Sequence, residues 1–157
     1  MWWQVARLHF RPAVDADIDD LLRDLRPADR DEAEALFPGR VDWAIRESLR
    51  QSFLAWTAED ADGAVFIFGL VAASLLEGTG GPWMLGTTRT EAYPRELVRQ
   101  ARPYIARMLT VCPLLANYVD ARNARAIRWL KRIGFTVLPP EPMGTAGLPF
   151  HPFYLEA

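Results

Sequence analysis

The chain has 157 residues, 50% of them hydrophobic and 24% charged, with a net charge of -2. That composition suits one domain over residues 1–157 with a core of its own and excludes a disordered chain. No run of about 18 apolar residues occurs, so no membrane-spanning helix is expected, and the N-terminus lacks the basic-then-apolar order of a secretory signal. Cys112 is the single cysteine and the histidines are only His9 and His151. A disulfide framework and a cysteine-based zinc site are therefore excluded, no metal is expected, and a reducing compartment is the natural setting.

The spacing predicts a first strand over Val5–Phe10, ended by Arg11-Pro12. A helix capped by Asp15 follows, with Ile18, Leu21, Leu22 and Leu25 on its apolar face. A short helical piece runs from Glu32 to Phe37, and Asp42 starts another helix with Ile45 and Leu49 facing inward. Phe53–Thr57 reads as a strand. An Asp-Gly turn leads into Ala64–Val71, an apolar run typical of a strand buried on both faces. Glu77–Pro82 reads as a loop and Trp83–Thr87 as a short strand. Pro94 fits the first turn of a helix that Pro103 should kink or split. Leu114–Val119 is a strand, Asn123 caps a helix that ends at Gly134, and Phe135–Leu138 is a strand. A Pro/Gly-rich loop then leads to an edge strand over Phe150–Leu155. The order makes a mixed α/β layer architecture, with antiparallel hairpins first and a strand–helix–strand crossover after them.

Charge divides along the chain. Residues 1–63 carry 8 Arg against 14 acidic residues, whereas residues 86–135 carry 10 basic residues against Glu91, Glu96 and Asp120. A basic half of this kind can serve a nucleic acid, or the two halves can pack against each other. HExxH, CxxC, GxSxG and GxxxxGK[ST] are all missing, which sets aside metal-dependent, Ser/His/Asp and P-loop chemistry. His9 and His151 read as strand residues with satisfied partners.

The stretch Asn117–Phe135 carries the most information. A strand ends in a polar elbow, Asn123 opens a helix, Ala126 follows three residues later, and the helix closes in Gly134-Phe135. This resembles the strand–helix–strand unit of the GNAT superfamily of N-acetyltransferases. The resemblance implies a GNAT fold: a central, mostly antiparallel twisted sheet with helices on both faces. It also implies an acetyl-CoA site at Leu85, Gly86, Thr87, Arg89, Ala92, Arg95 and Asn123. The runs Pro82–Thr87 and Asn117–Asn123, the Arg128–Lys131 helix and Pro149–Phe153 are similar to a phage-encoded branch that includes internal virion proteins. That implies a virion or host-cytoplasm setting.

Two departures from the family pattern bear on catalysis. The loop that reads (Q/R)-x-x-G-x-(G/A) in active relatives reads Arg89-Thr90-Glu91-Ala92-Tyr93-Pro94 here. Ala92 adds a Cβ where a diphosphate needs close approach, Pro94 has no N–H to donate, and Glu91 adds negative charge. Seven residues after Asn123, where the family often has a tyrosine acid, stands Leu130. No carboxylate stands out as a base. The expected function is a virion-associated accessory protein with a degenerate acetyl-CoA site and weak or no acyl transfer. The alternatives are an active N-acetyltransferase acting on an amine, and a nucleic-acid-binding module using the basic half. Trp2 and Trp3, with Phe150, Phe153 and Tyr154 at the other terminus, are expected to form an exposed aromatic patch for self-association or virion partners.

Overall fold

The computed structural model describes residues 7–74 and 76–157; Trp2 and Trp3 lie outside them. The elements run β1 (His9–Pro12), α1 (Asp15–Arg23), α2 (Pro27–Leu36), α3 (Val41–Gln51), β2 (Ser52–Asp60), β3 (Gly63–Ser74) and β4 (Thr79–Gly86). After a 3-10 turn over Thr88–Ala92 come α4 (Pro94–Val111), β5 (Leu114–Asp120), α5 (Ala124–Arg132), β6 (Thr136–Val137), β7 (Glu141–Met143) and β8 (Leu148–Glu156).

The strands form one eight-stranded sheet in the order β1-β2-β3-β4-β5-β8-β6, with β7 also on β8. Every pairing is antiparallel except β4 with β5. Side-chain alternation along β3 feeds two cores. Ile67, on one face, packs with Ile18, Leu21 and Leu25 around α1 and with Val41 and Ile45 of α3. Leu70, on the other, packs with Met108 of α4, Leu130 of α5 and Phe153 of β8. Both β3 side chains are fully buried, each contributing about 1.5–3 kcal/mol.

Local chemistry explains most element ends. Asp17, rather than Asp15, serves the start of α1: its Oδ2 accepts the Val14 N–H at 2.9 Å. Asn123 caps α5 as expected, accepting the Ala126 N–H at 3.3 Å. Gly134 closes that helix at φ +109°, a conformation costly for other residues. Pro103 does not split α4, which stays one helix. The proline lies on the solvent face, where water can satisfy the carbonyl that its missing N–H leaves free.

Three expectations are corrected. The Gly-rich stretch read as a loop is the first half of β4, since Gly80 lies where a Cβ would come within 2.8 Å of Cys112 Sγ and only glycine fits. Glu141–Met143 adds a strand within the Pro/Gly-rich segment. The C-terminal strand is interior, with β5 on one side and β6 and β7 on the other. Phe150 and Phe153 are buried, Phe153 within the core that holds Phe135 and Leu130, so neither belongs to an exposed patch, whereas Tyr154 is half-buried.

His9 and His151 have partners, Glu59 Oε1 at 3.1 Å and the Leu138 carbonyl at 2.8 Å. Among the described ion pairs, only Arg89–Asp60 joins the acidic segment 1–63 to the basic segment 86–135. All the others lie within one segment, as in Arg11–Asp17 and Arg122–Asp120.

Candidate active site

β4 and β5 run parallel and touch only at their first residues, Thr79 with Leu114 and Gly80 with Leu115. Beyond these the strands diverge. The Asn117 side chain reaches across the gap, its Nδ2 donating to the Pro82 carbonyl at 2.8 Å. A strand directs the N–H and C=O of alternate residues to the same side. The Pro82 carbonyl and the Gly86 N–H point into the gap, so the Met84 peptide groups between them do too. Pro82 is tolerated here because its nitrogen faces the gap and no ladder bond is lost.

A cleft of about 760 Å³ occupies the gap and is lined from both faces of the sheet. On one side stand Asp29, Glu32 and Ala33 of α2 with Ala44, Ile45 and Ser48 of α3. On the other stand Pro94, Leu97 and Val98 of α4 with Arg125, Arg128 and Trp129 of α5. The first wall is acidic and apolar, the second apolar with a basic rim. Tyr118, on β5, also lines the cleft and is 40% exposed.

The expected cofactor residues divide. Leu85 and Asn123 line the cleft, whereas Gly86, Thr87, Arg89, Ala92 and Arg95 do not. The Gly86 N–H donates to Asp29 Oδ2 at 2.8 Å, and its carbonyl accepts the Arg26 N–H at 2.9 Å. A Cβ there would sit 2.3 Å from Thr90 Oγ1. Thr87 is buried and gives both its N–H and its hydroxyl to the Val65 carbonyl. Arg89 turns away to Asp60 and to the Ala64 carbonyl. Ala92 and Arg95 are exposed. Glu91 lines the cleft and pairs with Arg125 at 3.1 Å, joining the starts of α4 and α5 at the mouth.

Glu32 is the residue that sequence reasoning missed. It is half-buried in the cleft, and its Oε1 accepts the Asp120 N–H at 2.7 Å. Burial pushes its pKa up to about 7; the Asp120 N–H opposes that rise, the charges of Asp29 and Asp120 add to it, and Arg26 opposes it weakly. Arg26 is occupied by Asp29, through Nε at 3.1 Å and Nη2 at 2.9 Å. A carboxyl that ionises near neutrality in an open cleft can accept a proton from a reacting group. The signal was present in the spacing: Asp29, Glu32, Ala33 and Leu36 fall on one face of α2, which puts two carboxyls on the inward side of a helix.

Among the described residues, no cluster of His, Cys, Asp or Glu is arranged to hold a metal ion. None of their helices is long and apolar enough to cross a membrane.

No protein-family model matches the sequence, nor does any curated protein. Solved structures do resemble it. A ribosomal-protein-alanine N-acetyltransferase from Brucella melitensis superposes with a TM-score of 0.68 at 16% identity, covering 96% of this chain and 100% of that one. A spermidine N-acetyltransferase from Vibrio cholerae, in complex with CoA and spermine, gives 0.67 at 11% identity over 95% of each chain. A GNAT-superfamily phosphinothricin acetyltransferase from Sinorhizobium meliloti, in complex with acetyl-CoA, gives 0.67 at 15% identity, covering 95% of this chain and 88% of that one. The splayed parallel pair, the helices on both faces and these superpositions together give the chain the fold of the GNAT acetyltransferases.

Proposed function

We propose that the protein is a GNAT-superfamily N-acyltransferase that moves an acyl group from acyl-CoA to an amine, with Glu32 as the base. The observation that carries this reading is Glu32, a carboxyl poised near neutral pH on one wall of a cleft that passes between two splayed strands. Acyl-CoA supplies the activated acyl group as a thioester.

The residues of the cleft fit such a group at its thioester end. The Met84 peptide offers a donor at the gap. The Trp129 indole N–H is buried and without a partner among the described residues, a state that costs free energy until a ligand carbonyl accepts from it. The diphosphate end fits less well. Pro94 opens α4 without an N–H, and the amides of Gly86 and Thr87 are already engaged. Arg125 and Arg128 at the rim are the cations that would hold the phosphates.

Glu32 takes the N–H proton of the amine as its nitrogen bonds to the acyl carbon and the carbon–sulfur bond breaks. Leu130 has no proton to return to the sulfur, and solvent in the open cleft supplies it. The Asp29 oxygens are taken up by Arg26 and the Gly86 N–H.

The engaged amides favour a second reading, in which cofactor binding is weak and the fold serves contacts with other virion proteins. Calorimetric titration with acetyl-CoA tests the choice. The acyltransferase reading expects a dissociation constant in the high micromolar range, about 5–6 kcal/mol of binding. No binding at millimolar concentration by acetyl-CoA or a longer acyl-CoA overturns it in favour of the second reading.

A further inference from the structure

We propose that the apolar cavity beneath α4 holds the chain of an acyl group of about six carbons, so that the preferred donor is a medium-chain acyl-CoA rather than acetyl-CoA. The inference rests on the acyltransferase reading and specifies its donor.

The cavity has a volume of about 100 Å³ and lies between α4 and the sheet. Apart from Glu96 and Gln100, every residue that lines it is apolar or aromatic. It meets the cleft at Met84, Leu97, Trp129 and Leu130, which line both spaces. A chain leaving a thioester at the Met84 peptide therefore enters the cavity directly. Phe68, Tyr104 and Met108 also line it.

Native cores rarely leave such space. Here the gap falls at Ala101, the small residue on an inner face of α4 that otherwise carries Leu97, Ile105 and Met108. A cavity of this character does not suit water, which needs two or more polar partners. Because a cavity of about 150 Å³ holds the six carbons of benzene, one of 100 Å³ holds about four. Four methylenes added to an acetyl group make hexanoyl.

Calorimetric titration of the full chain with CoA and with acetyl-, butyryl-, hexanoyl- and octanoyl-CoA tests the proposal. Affinity should rise about four-fold per methylene, to on the order of 100-fold from acetyl to hexanoyl, and gain nothing further at octanoyl. Ala101→Leu, which fills the space, should bring the hexanoyl-to-acetyl ratio close to one. If that variant fails to fold, the series on the unmodified protein decides alone. Equal affinities from acetyl to hexanoyl, or hexanoyl-CoA no tighter than CoA itself, overturn the cavity as an acyl site while leaving the acyltransferase reading intact. Absence of binding by every thioester overturns both.

Discussion

Asp17 and Glu32 are carboxylates on neighbouring helices that cover the same face of the sheet, and their surroundings drive them in opposite directions. Asp17 accepts two bonds from the Arg11 guanidinium, at 2.7 and 2.9 Å, one from the Val14 N–H and one from the Thr57 hydroxyl. Burial raises its pKa, but the Arg11, Val14 and Thr57 bonds outweigh burial and hold it below the usual range. Glu32 meets a large burial cost with a single backbone bond, with two carboxylates near it and its closest arginine committed elsewhere. The balance of donors against burial decides which carboxylate is structural and which can exchange a proton. The same rule accounts for Asp120, which is almost fully buried yet held low, since the Arg122 guanidinium and N–H outweigh its burial.

The comparison is tested most severely by removing the structural member. Asp17→Ala leaves the Arg11 guanidinium and the Thr57 hydroxyl without their acceptor, and should cost about 3–5 kcal/mol in urea unfolding. A loss under 1 kcal/mol would mean that the cluster is not the anchor of α1 on the sheet.

Glu32→Gln keeps an acceptor for the Asp120 N–H but removes the base. Acyl transfer from acetyl-CoA to a panel of primary amines should fall about 100-fold or more, while acetyl-CoA binding persists. Retained turnover would assign the base elsewhere.

Stability should depend on pH with opposite signs at the two sites. Glu32 has a folded pKa above its unfolded one, so the folded state holds the extra proton between about pH 4.5 and 7 and loses stability as pH rises through that window. At pH 8 Glu32→Gln should therefore be more stable than the unmodified protein, by about 1–2 kcal/mol after allowance for solvent screening of a half-buried group. Asp17 has a lowered folded pKa, so its contribution is complete above its unfolded value and disappears as pH falls through the folded one. Asp17→Asn should accordingly flatten the acid limb of the stability curve and leave the neutral limb alone.

The smallest effect concerns the mouth of the cleft. Glu91 and Arg125 are both more than half exposed, and such pairs add little to stability. Glu91→Gln should leave the melting temperature unchanged and free Arg125 for phosphate, raising acetyl-CoA affinity by a few-fold.

Much of the fold was legible because short-range chemistry and tertiary packing agree there. The Asn123 cap, the Gly134 stop and the apolar run of β3 each sit in an environment that rewards their local preference. The start of β4 was not legible. Glycine and proline favour turns, and only the nearness of Leu70 and Cys112 makes Gly80 a strand residue. The C-terminal strand was legible as a strand but not as an interior one, since its neighbours on both edges are distant or adjacent segments that no local signal names. In the site, the resemblance to the GNAT family pointed to Leu85 and Asn123, which line the cleft. It could not show that Arg89 turns to Asp60, nor that Glu32 meets the Asp120 N–H, because those contacts join residues 29 and 88 positions apart.

The central claim is that Glu32 ionises near neutrality, and an NMR titration of its side-chain carboxyl carbon tests it most directly. With Glu32→Gln to assign the resonance, the account predicts a midpoint at about pH 7, well above the exposed glutamates of the same protein. A midpoint between about 4 and 5, where unperturbed glutamates titrate, would contradict it and remove Glu32 as the base.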